Sequence, residues 1–457
     1  MHTESETQRA TGSTITEAAV RAISTEKDEP DWMLDRRLDA LETYHELPTP
    51  SEWPDQPDLS TVDVEGVVPY LRPDVDVDVD IEGYDDLPDD VRETFDRLGI
   101  PEAERDALAG SGAQLESEVL YHQLEDRWDD EGVVFCSMDD AVREHPDLVR
   151  EYFMSAIDPD EHKFAALHTA FWSGGSFLYV PEGVTVNLPI HAYFRMNEPG
   201  TGQFSHNVIV AEPDSEVHYI EGCSAPTFNA TNLDCGAVEV FVGENAHVQH
   251  STVQNWSRNT YCLNTDRAVV EAGGRMEWIS GMLGSKVTML YPSSVLRGRD
   301  ASASHITISF AEGGQRMDSG AKIYHEAPET TASVEAKSIS KGGGRTTYRG
   351  LVRSLDDVDG VATTVECDAL MFDSESTSDT LPHIEVEGDD AAIAHEATVG
   401  KIADEDVFYL TNRGLDEEEA KQLIVSGFIE PLTDELPVAY AAELNRLVQL
   451  EMEGSLG

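Results

Sequence analysis

Apolar and polar residues alternate from about Gly174-Gly175 to about residue 400, and apolar residues recur at helical spacing on either side of that stretch. In the middle, Phe177 and Tyr179, then Val184, Val186, Leu188 and Ile190, keep the alternating period of strands. Upstream, Leu34, Leu38 and Leu41 share one helical face before Pro48, Pro50, Pro54 and Pro57 interrupt. Residues 75–80 read as an acidic connector, 89–98 and 102–108 as short helices split by Gly99-Ile100-Pro101, and 138–153 and 161–171 as further helices. Downstream, Asp416-Glu417-Glu418-Glu419 puts acids in the first turn of a helix that runs through Ala420, Leu423, Ile424 and Phe428 and stops at Pro431. Pro437 opens a last helix with Tyr440, Leu444, Leu447 and Leu450 near one face. Helices this short need a docking surface, either the chain's own β region or a partner subunit.

Turn-forming clusters punctuate the alternating region. They fall at Glu212-Pro213-Asp214, Gly243-Glu244-Asn245, Ala272-Gly273-Gly274, Gly298-Arg299-Asp300, Asp356-Asp357 and Gly388-Asp389. The gaps between the first four shrink along the chain, and the last two are a similar interval apart, a loose period of roughly 30. Such a period without intervening helices predicts a β-solenoid or two stacked sheets. An ordinary β-sandwich is the alternative, and the stretch is long for one. The chain therefore divides into a disordered tail (1–25), an N-terminal helical domain (26–170), a β core (171–402) and a C-terminal helical domain (403–457).

Charge changes the picture of the solvent more than of the task. There are 89 Asp and Glu against 31 Lys and Arg, a formal net charge of −58. Such a chain repels nucleic acid and anionic membrane, since neither can release counterions to it. The acids are spread through patterned segments, so we expect a halophilic protein that folds in concentrated salt, where the Debye length shrinks to roughly 3 Å near 1 M. The cysteines (136, 223, 235, 262 and 367) are odd in number and form no Cys-x-x-Cys, which predicts reduced thiols. The N-terminus has no basic and apolar leader pattern and no apolar run is long enough to span a membrane, so a cytoplasmic address is expected.

If residues one period apart stack, sequence distance becomes a ruler. Arg195, Cys223 and Gln254 follow one another at about that period, and so do Cys367 and Glu396. The first three would form one line of polar groups and the last two another, although a slip of one position turns a side chain to the other face. Cys367 reads either as a reactive thiolate or as a small buried hydrophobe. An imidazolium nearby would favour the thiolate, while Glu366, Asp368 and Glu396 would oppose it. Cys223, at a strand end entering a turn, carries the same two readings. Cys136, Cys235 and Cys262 read as packing. The histidines show no metal-binding spacing. Lys341-Gly342-Gly343-Gly344-Arg345 lacks the order of a phosphate loop and reads as a turn, and no G-x-S-x-G occurs.

Several ordered motifs carry a resemblance. Phe171-Trp172-Ser173-Gly174-Gly175, Tyr193-Phe194-Arg195-Met196-Asn197, Glu221-Gly222-Cys223-Ser224-Ala225-Pro226 and Thr252-Val253-Gln254-Asn255-Trp256 belong to it. So do Ser338-Ile339-Ser340-Lys341-Gly342-Gly343-Gly344-Arg345, Glu366-Cys367-Asp368-Ala369-Leu370, His395-Glu396-Ala397-Thr398-Val399 and the terminal Glu453-Gly454-Ser455-Leu456-Gly457. From about residue 20 to the end the sequence resembles the SufB/SufD family of iron–sulfur cluster assembly, and within it the SufB branch. The resemblance implies a mainly β fold, a right-handed parallel β-helix flanked by helical domains. It implies a scaffold, not an enzyme, which pairs with a SufD paralogue or with itself and with SufC ATPase subunits that hydrolyse ATP. Sulfur would come from a cysteine desulfurase and its sulfur-transfer partner. The cargo is a transient iron–sulfur cluster, and a reduced flavin accompanies some complexes of the family. By residue match Cys223 corresponds to the sulfur acceptor, Arg195, Asn197, Gln254 and Trp256 to the lining of the sulfur path, and Cys367 and Glu396 to the nascent-cluster site.

The sequence departs from the family pattern at Thr265-Asp266-Arg267, where relatives commonly carry Thr-Lys-Arg. A cation on the sulfur path would then have to come from Arg267 or Arg258. His395-Glu396-Ala397 and Cys367 favour the SufB branch, because SufD-type chains usually carry Gly after the His. The alternative within the family is a SufD-like structural subunit without its own cluster ligands. A β-helix enzyme acting on carbohydrate is the alternative outside it, and would need aromatic grooves and convergent acids.

Overall fold

The computed structural model describes residues 15–73 and 108–433, except 228 and 357, together with positions 441, 445, 446, 448 and 449. The expected parallel β-helix is present as a solenoid of about eight turns with helices at both ends. Its main sheet stacks the strands Ile190–Arg195, Glu216–Ser224, His247–Asn255, Arg275–Leu283, Ser302–Ala311, Thr331–Ser340, Val361–Met371 and Ala391–Lys401, all in parallel. A second sheet closes the other side. In its early turns it has two short strands per turn, such as Thr260–Leu263 and Thr265–Val270. These merge at Arg316–His325, which pairs with both Val287–Leu290 and Ser293–Leu296.

The turns explain why the period is readable. Asp214, Asn245, Gly273, Asp300, Glu329 and Gly360 all adopt positive φ. The N–H of each donates to a carbonyl in the turn of the next rung: Asp214 to Glu244, Asn245 to Ala272, Gly273 to Arg299, Asp300 to Pro328, Glu329 to Asp359 and Gly360 to Asp390. Asn, Asp and Gly tolerate this left-handed conformation best. Glu329 does not belong to that group, and its turn is the one the residue pattern misses.

Several boundaries differ from expectation. Residues Glu17–Glu26, placed in a disordered tail, form a helix capped by Thr16, whose Oγ accepts from the Ala19 N–H, and they bury Val20 and Ile23. The N-terminal region is not purely helical. The strands Gly110–Leu115 and Glu118–Leu124 extend the main sheet, and Val134–Ser137 pairs antiparallel at the start of the second. Small and β-branched residues there pack on the first rung and outweigh helical propensity. The 138–153 helix is two, Met138–Glu144 and Pro146–Tyr152, because Pro146 starts a new first turn. The helix Glu417–Thr433 continues past Pro431, and Asp416 and Glu419 exchange side-chain-to-backbone hydrogen bonds at its start. The expected connector and helices within 75–107, and most of the last helix, lie outside the described residues.

The solenoid core is one continuous cluster including Ile190, Tyr219, Val248, Trp278 and Val365. Outward-facing Ile220, Val253, Ile279 and Ile308 receive Val425, Ile429 and Val448, so the C-terminal helices dock on the chain's own solenoid. At the N-terminal end, Glu239 accepts hydrogen bonds from the N–H groups of Met154, Ala156 and Ile157, and its Oε2 lies 3.1 Å from His206 Nε2. That buried carboxylate ties the helical segment to the second sheet.

Candidate functional site: a polar lumen between two thiols

Strand register fixes which residues share the inner face. Adjacent residues alternate between lumen and exterior. One inner line runs Glu221, Thr252, Ser280, Thr307, Ala336 and Cys367, each the register partner of the next. All six are buried. Cys223 lies two positions beyond Glu221 on the same inner face and is in register with Phe194 and Gln254. Five strand steps therefore separate the level of Glu221 from Cys367, about 24 Å at the usual strand spacing. A parallel line of larger rings, Tyr219, His250, Trp278 and His305, walls this row of small side chains, with centroids 5.7, 5.0 and 6.4 Å apart.

At one end the row opens into a chamber of acids and thiols. The Cys223 thiol donates to Glu221 Oε1 at 3.3 Å, and Asn207 donates to Glu221 Oε2 at 2.9 Å. The Cys262 thiol lies 3.3 Å from Asp234 Oδ2 and 3.2 Å from Gln254 Oε1, and Asn264 donates to Asp234 at 2.8 Å. Trp256 packs in the same cluster. Burial and then the Glu221 charge push the Cys223 thiol well above its ordinary value; burial and then Asp234 do the same for Cys262. Burial raises Asp234 to about 7 and lifts Asp266 well above the carboxylate range, with Glu221 adding to both.

The structure thus brings Cys223, Gln254 and Trp256 together but not with Arg195. Arg195 is in register with Ser224, on the opposite face from Cys223. There it donates to Asn197 Oδ1 at 2.8 Å and Ser224 Oγ at 3.0 Å, and burial lowers it to about 10 against the pull of Glu116. Asp266 does face the chamber's acids, but the two expected substitute cations are engaged with other carboxylates: Arg267 pairs with Glu161 at 2.7 Å and Arg258 with Glu312 at 2.5 Å. Among the ion pairs of the described residues, none joins a lysine or arginine to Glu221, Asp234 or Asp266.

At the other end Cys367 is buried beside Tyr348. Burial and then Asp368 push its thiol up to about 12, while the hydrogen bond from the Tyr348 hydroxyl opposes the shift. Its register partner on the last strand is Ala397, and Glu396 is paired with Glu366 on the outer face. His395 places an imidazole on the inner face of that strand, its ring 6.2 Å from that of Tyr348. The edge beyond it exposes Val399, Ile384 and Val386. The residues that sequence reasoning missed are Glu221, Asp234 and Cys262. The Glu221-x-Cys223 spacing signals the first, since alternate positions on a strand share a face. Nothing local signals the other two, which arrive from across the lumen.

Comparison with known proteins agrees with this architecture. The family model described as SUF system FeS cluster assembly, SufBD core domain, matches residues 194–428, and the SufBD protein N-terminal region matches residues 113–192. An iron-sulfur cluster assembly SufBD family protein of Staphylococcus epidermidis is 47% identical over 443 residues, covering 97% of this chain and 94% of that protein. Relatives in Staphylococcus haemolyticus and Staphylococcus aureus are 47% and 46% identical with the same coverage. The chain belongs to the SufBD family of iron–sulfur cluster assembly proteins.

Proposed function

We propose that this chain is the SufB-type scaffold of the family, which accepts sulfur at Cys223 and assembles a nascent cluster at Cys367. The observation that carries the reading is the unbroken inner line from Glu221 to Cys367, a lumen of hydroxyls and small side chains joining two thiols. Gln254 and Trp256 line the entry chamber, and Arg195 with Asn197 holds the strand end from the outer face. Glu396 stands on the outer face of the last strand and would join the same cluster only if that strand turns as the cluster forms. The unpaired edge of that strand suits a SufD-type partner or a second copy, and the exposed Phe408, Tyr409 and Leu423 suit an ATPase of the SufC type. Sulfur would come from a desulfurase system, the surroundings are salt-rich cytoplasm, and a reduced flavin is a candidate electron source.

In this reading the chain contributes positioning and sequestration. Cys223 and Cys367 are both neutral thiols at rest by virtue of burial, so a thiolate forms only when a proton acceptor or a cation arrives. Anaerobic incubation with ferrous iron and sulfide should give a visible cluster chromophore on the complex. A chromophore that survives Cys367→Ala would overturn the cluster assignment.

A further inference from the structure

The entry chamber holds a second thiol that has no task in the sulfur-acceptor reading. Cys262 is fully buried on the strand Thr260–Leu263 of the second sheet, and its sulfur meets Gln254 Oε1 from across the lumen at 3.2 Å. Register fixes its place along the solenoid. Cys223 and Asp234 belong to one turn, Gln254 and Cys262 to the next: Gln254 is the register partner of Cys223, and Cys262 that of Asp234. Cys262 therefore stands one strand step, about 4.8 Å, nearer to Cys367 than Cys223 does. It is also near enough to Cys223 to add to the rise of that thiol's pKa. Thr252, on the inner face of the same turn as Cys262, keeps a buried hydroxyl with no hydrogen-bond partner. A buried polar group left unpaired costs free energy, and native structures rarely keep one without a purpose. The chamber thus has polar capacity left over for an occupant.

We propose that Cys262 is a second sulfur carrier, which takes the outer sulfur from a persulfide on Cys223 and moves it one rung toward Cys367. The inference rests on Cys223 as the sulfur acceptor and adds the step that follows. That step is an exchange between a thiol and a persulfide. The Cys262 sulfur bonds to the outer sulfur of Cys223–S–SH, the bond from that sulfur to Cys223 breaks, and its electron pair stays on Cys223. The products are Cys262–S–SH and the Cys223 thiol. One S–S bond replaces another, so nothing is oxidised or reduced overall and no reductant is needed. The outer sulfur stands about 2.05 Å beyond Cys223 Sγ, which covers part of the gap before Cys262 moves at all.

The chamber's carboxylates handle the proton. Each thiol already faces one of them: Cys262 lies 3.3 Å from Asp234 Oδ2, and Cys223 lies 3.3 Å from Glu221 Oε1. Asp234 takes the Cys262 proton as the new bond forms. The two carboxyls are close enough for Glu221 to raise Asp234, and the proton returns through Glu221 to the leaving Cys223 sulfur. Burial lifts Asp234 to about 7, so it can both accept and give back a proton near neutral pH. Proton transfer accompanies bond formation, so two buried thiols that are neutral at rest react without a standing thiolate. Asn264 holds Asp234 in place at 2.8 Å.

The test is anaerobic incubation of the complex with a cysteine desulfurase system and free cysteine, quenched at successive times with a thiol-alkylating reagent and read by peptide mass spectrometry. In Cys367→Ala, where onward transfer is blocked, a one-sulfur increment should appear on the Cys223 peptide first and on the Cys262 peptide afterwards. Adding Cys223→Ser should remove the increment at Cys262. Asp234→Asn, checked for an unchanged circular dichroism spectrum and melting temperature, should slow sulfur arrival at Cys262 at least about a hundredfold, the usual loss when a general base is removed. Cys262→Ser with Cys367 intact should carry sulfur on Cys223 and lose the increment at Cys367. Cys136→Ser, in a separate packing cluster, should change none of these. Sulfur on Cys223 with none on Cys262 at any time, or full transfer to Cys367 in Cys262→Ser, would overturn the relay and leave the acceptor reading standing. Sulfur on Cys262 at the wild-type level in Cys223→Ser would overturn the order of the two thiols. No sulfur on Cys223 would overturn both readings together.

Discussion

Cys367 and Glu396 lie on neighbouring strands but on opposite faces of the sheet. Glu366 is the residue that stacks on Glu396, and Cys367 stacks on Ala397, one position further along. The consequence is a specific ordering of variants. His395 shares the inner face with Cys367, so His395→Ala should reduce the yield of reconstituted cluster more than Glu396→Ala does. The visible absorbance of anaerobically reconstituted complexes measures both, and the reverse ordering would show that the last strand rearranges when cluster forms.

Glu239 anchors the N-terminal segment through three backbone N–H groups and contact with His206. Glu239→Ala leaves these donors buried without an acceptor, at about 1–3 kcal/mol each. We expect a loss of at least about 3 kcal/mol in urea unfolding, with amide exchange rising first at residues 154–157. A loss under about 1 kcal/mol would mean the segment finds other partners.

The buried histidines set a pH dependence. Burial pushes His122, His191 and His305 down to about 3, and His162, His218 and His325 to about 4. Above about pH 6.5 these are neutral in both states. Below it the unfolded chain takes up protons that the native chain refuses, so stability falls as pH falls. Glu116 and Asp234, raised to about 7, work in the opposite sense, because their unfolded forms ionise above about pH 4 while the native forms keep their protons. The imidazoles outnumber them, so unfolding midpoints should drop between about pH 6.5 and about pH 5. His305→Asn should lessen that slope by up to about 1.4 kcal/mol per pH unit. An unchanged slope would show that His305 titrates normally.

With 89 acids against 31 basic residues, the folded chain is strained by its own charge at low ionic strength. Raising KCl from about 0.1 to about 1 M shortens the screening length from about 10 to about 3 Å. The melting temperature should rise steadily over that range. A flat or falling profile would remove the case for a salt-adapted protein.

The repeat itself is legible because the turns carry Asp, Asn and Gly at left-handed positions, and those residues are visible locally. The register is not, because rung length is uneven: the step from Tyr219 to its partner His250 takes more chain than the step from Trp278 to its partner His305. A difference of a single position decides which face a side chain takes. Spacing alone therefore aligns Cys223 with Gln254 correctly, yet puts Arg195 and Glu396 one face away from where they stand. Cys262 and Asp234 come from strands of the second sheet, and no periodicity within the main sheet points to them. The helix Glu17–Glu26 escapes notice because its polar surface hides a narrow stripe of Ala19, Val20 and Ile23.

The proposed sulfur route runs from Cys223 to Cys367 along the inner line. It is tested most directly by peptide mass spectrometry of the complex after anaerobic incubation with a cysteine desulfurase system and free cysteine. A one-sulfur mass increment is expected on the Cys223 peptide in Cys367→Ala, and no increment at Cys367 in Cys223→Ser. Sulfur appearing at Cys367 in Cys223→Ser at the wild-type level would contradict it.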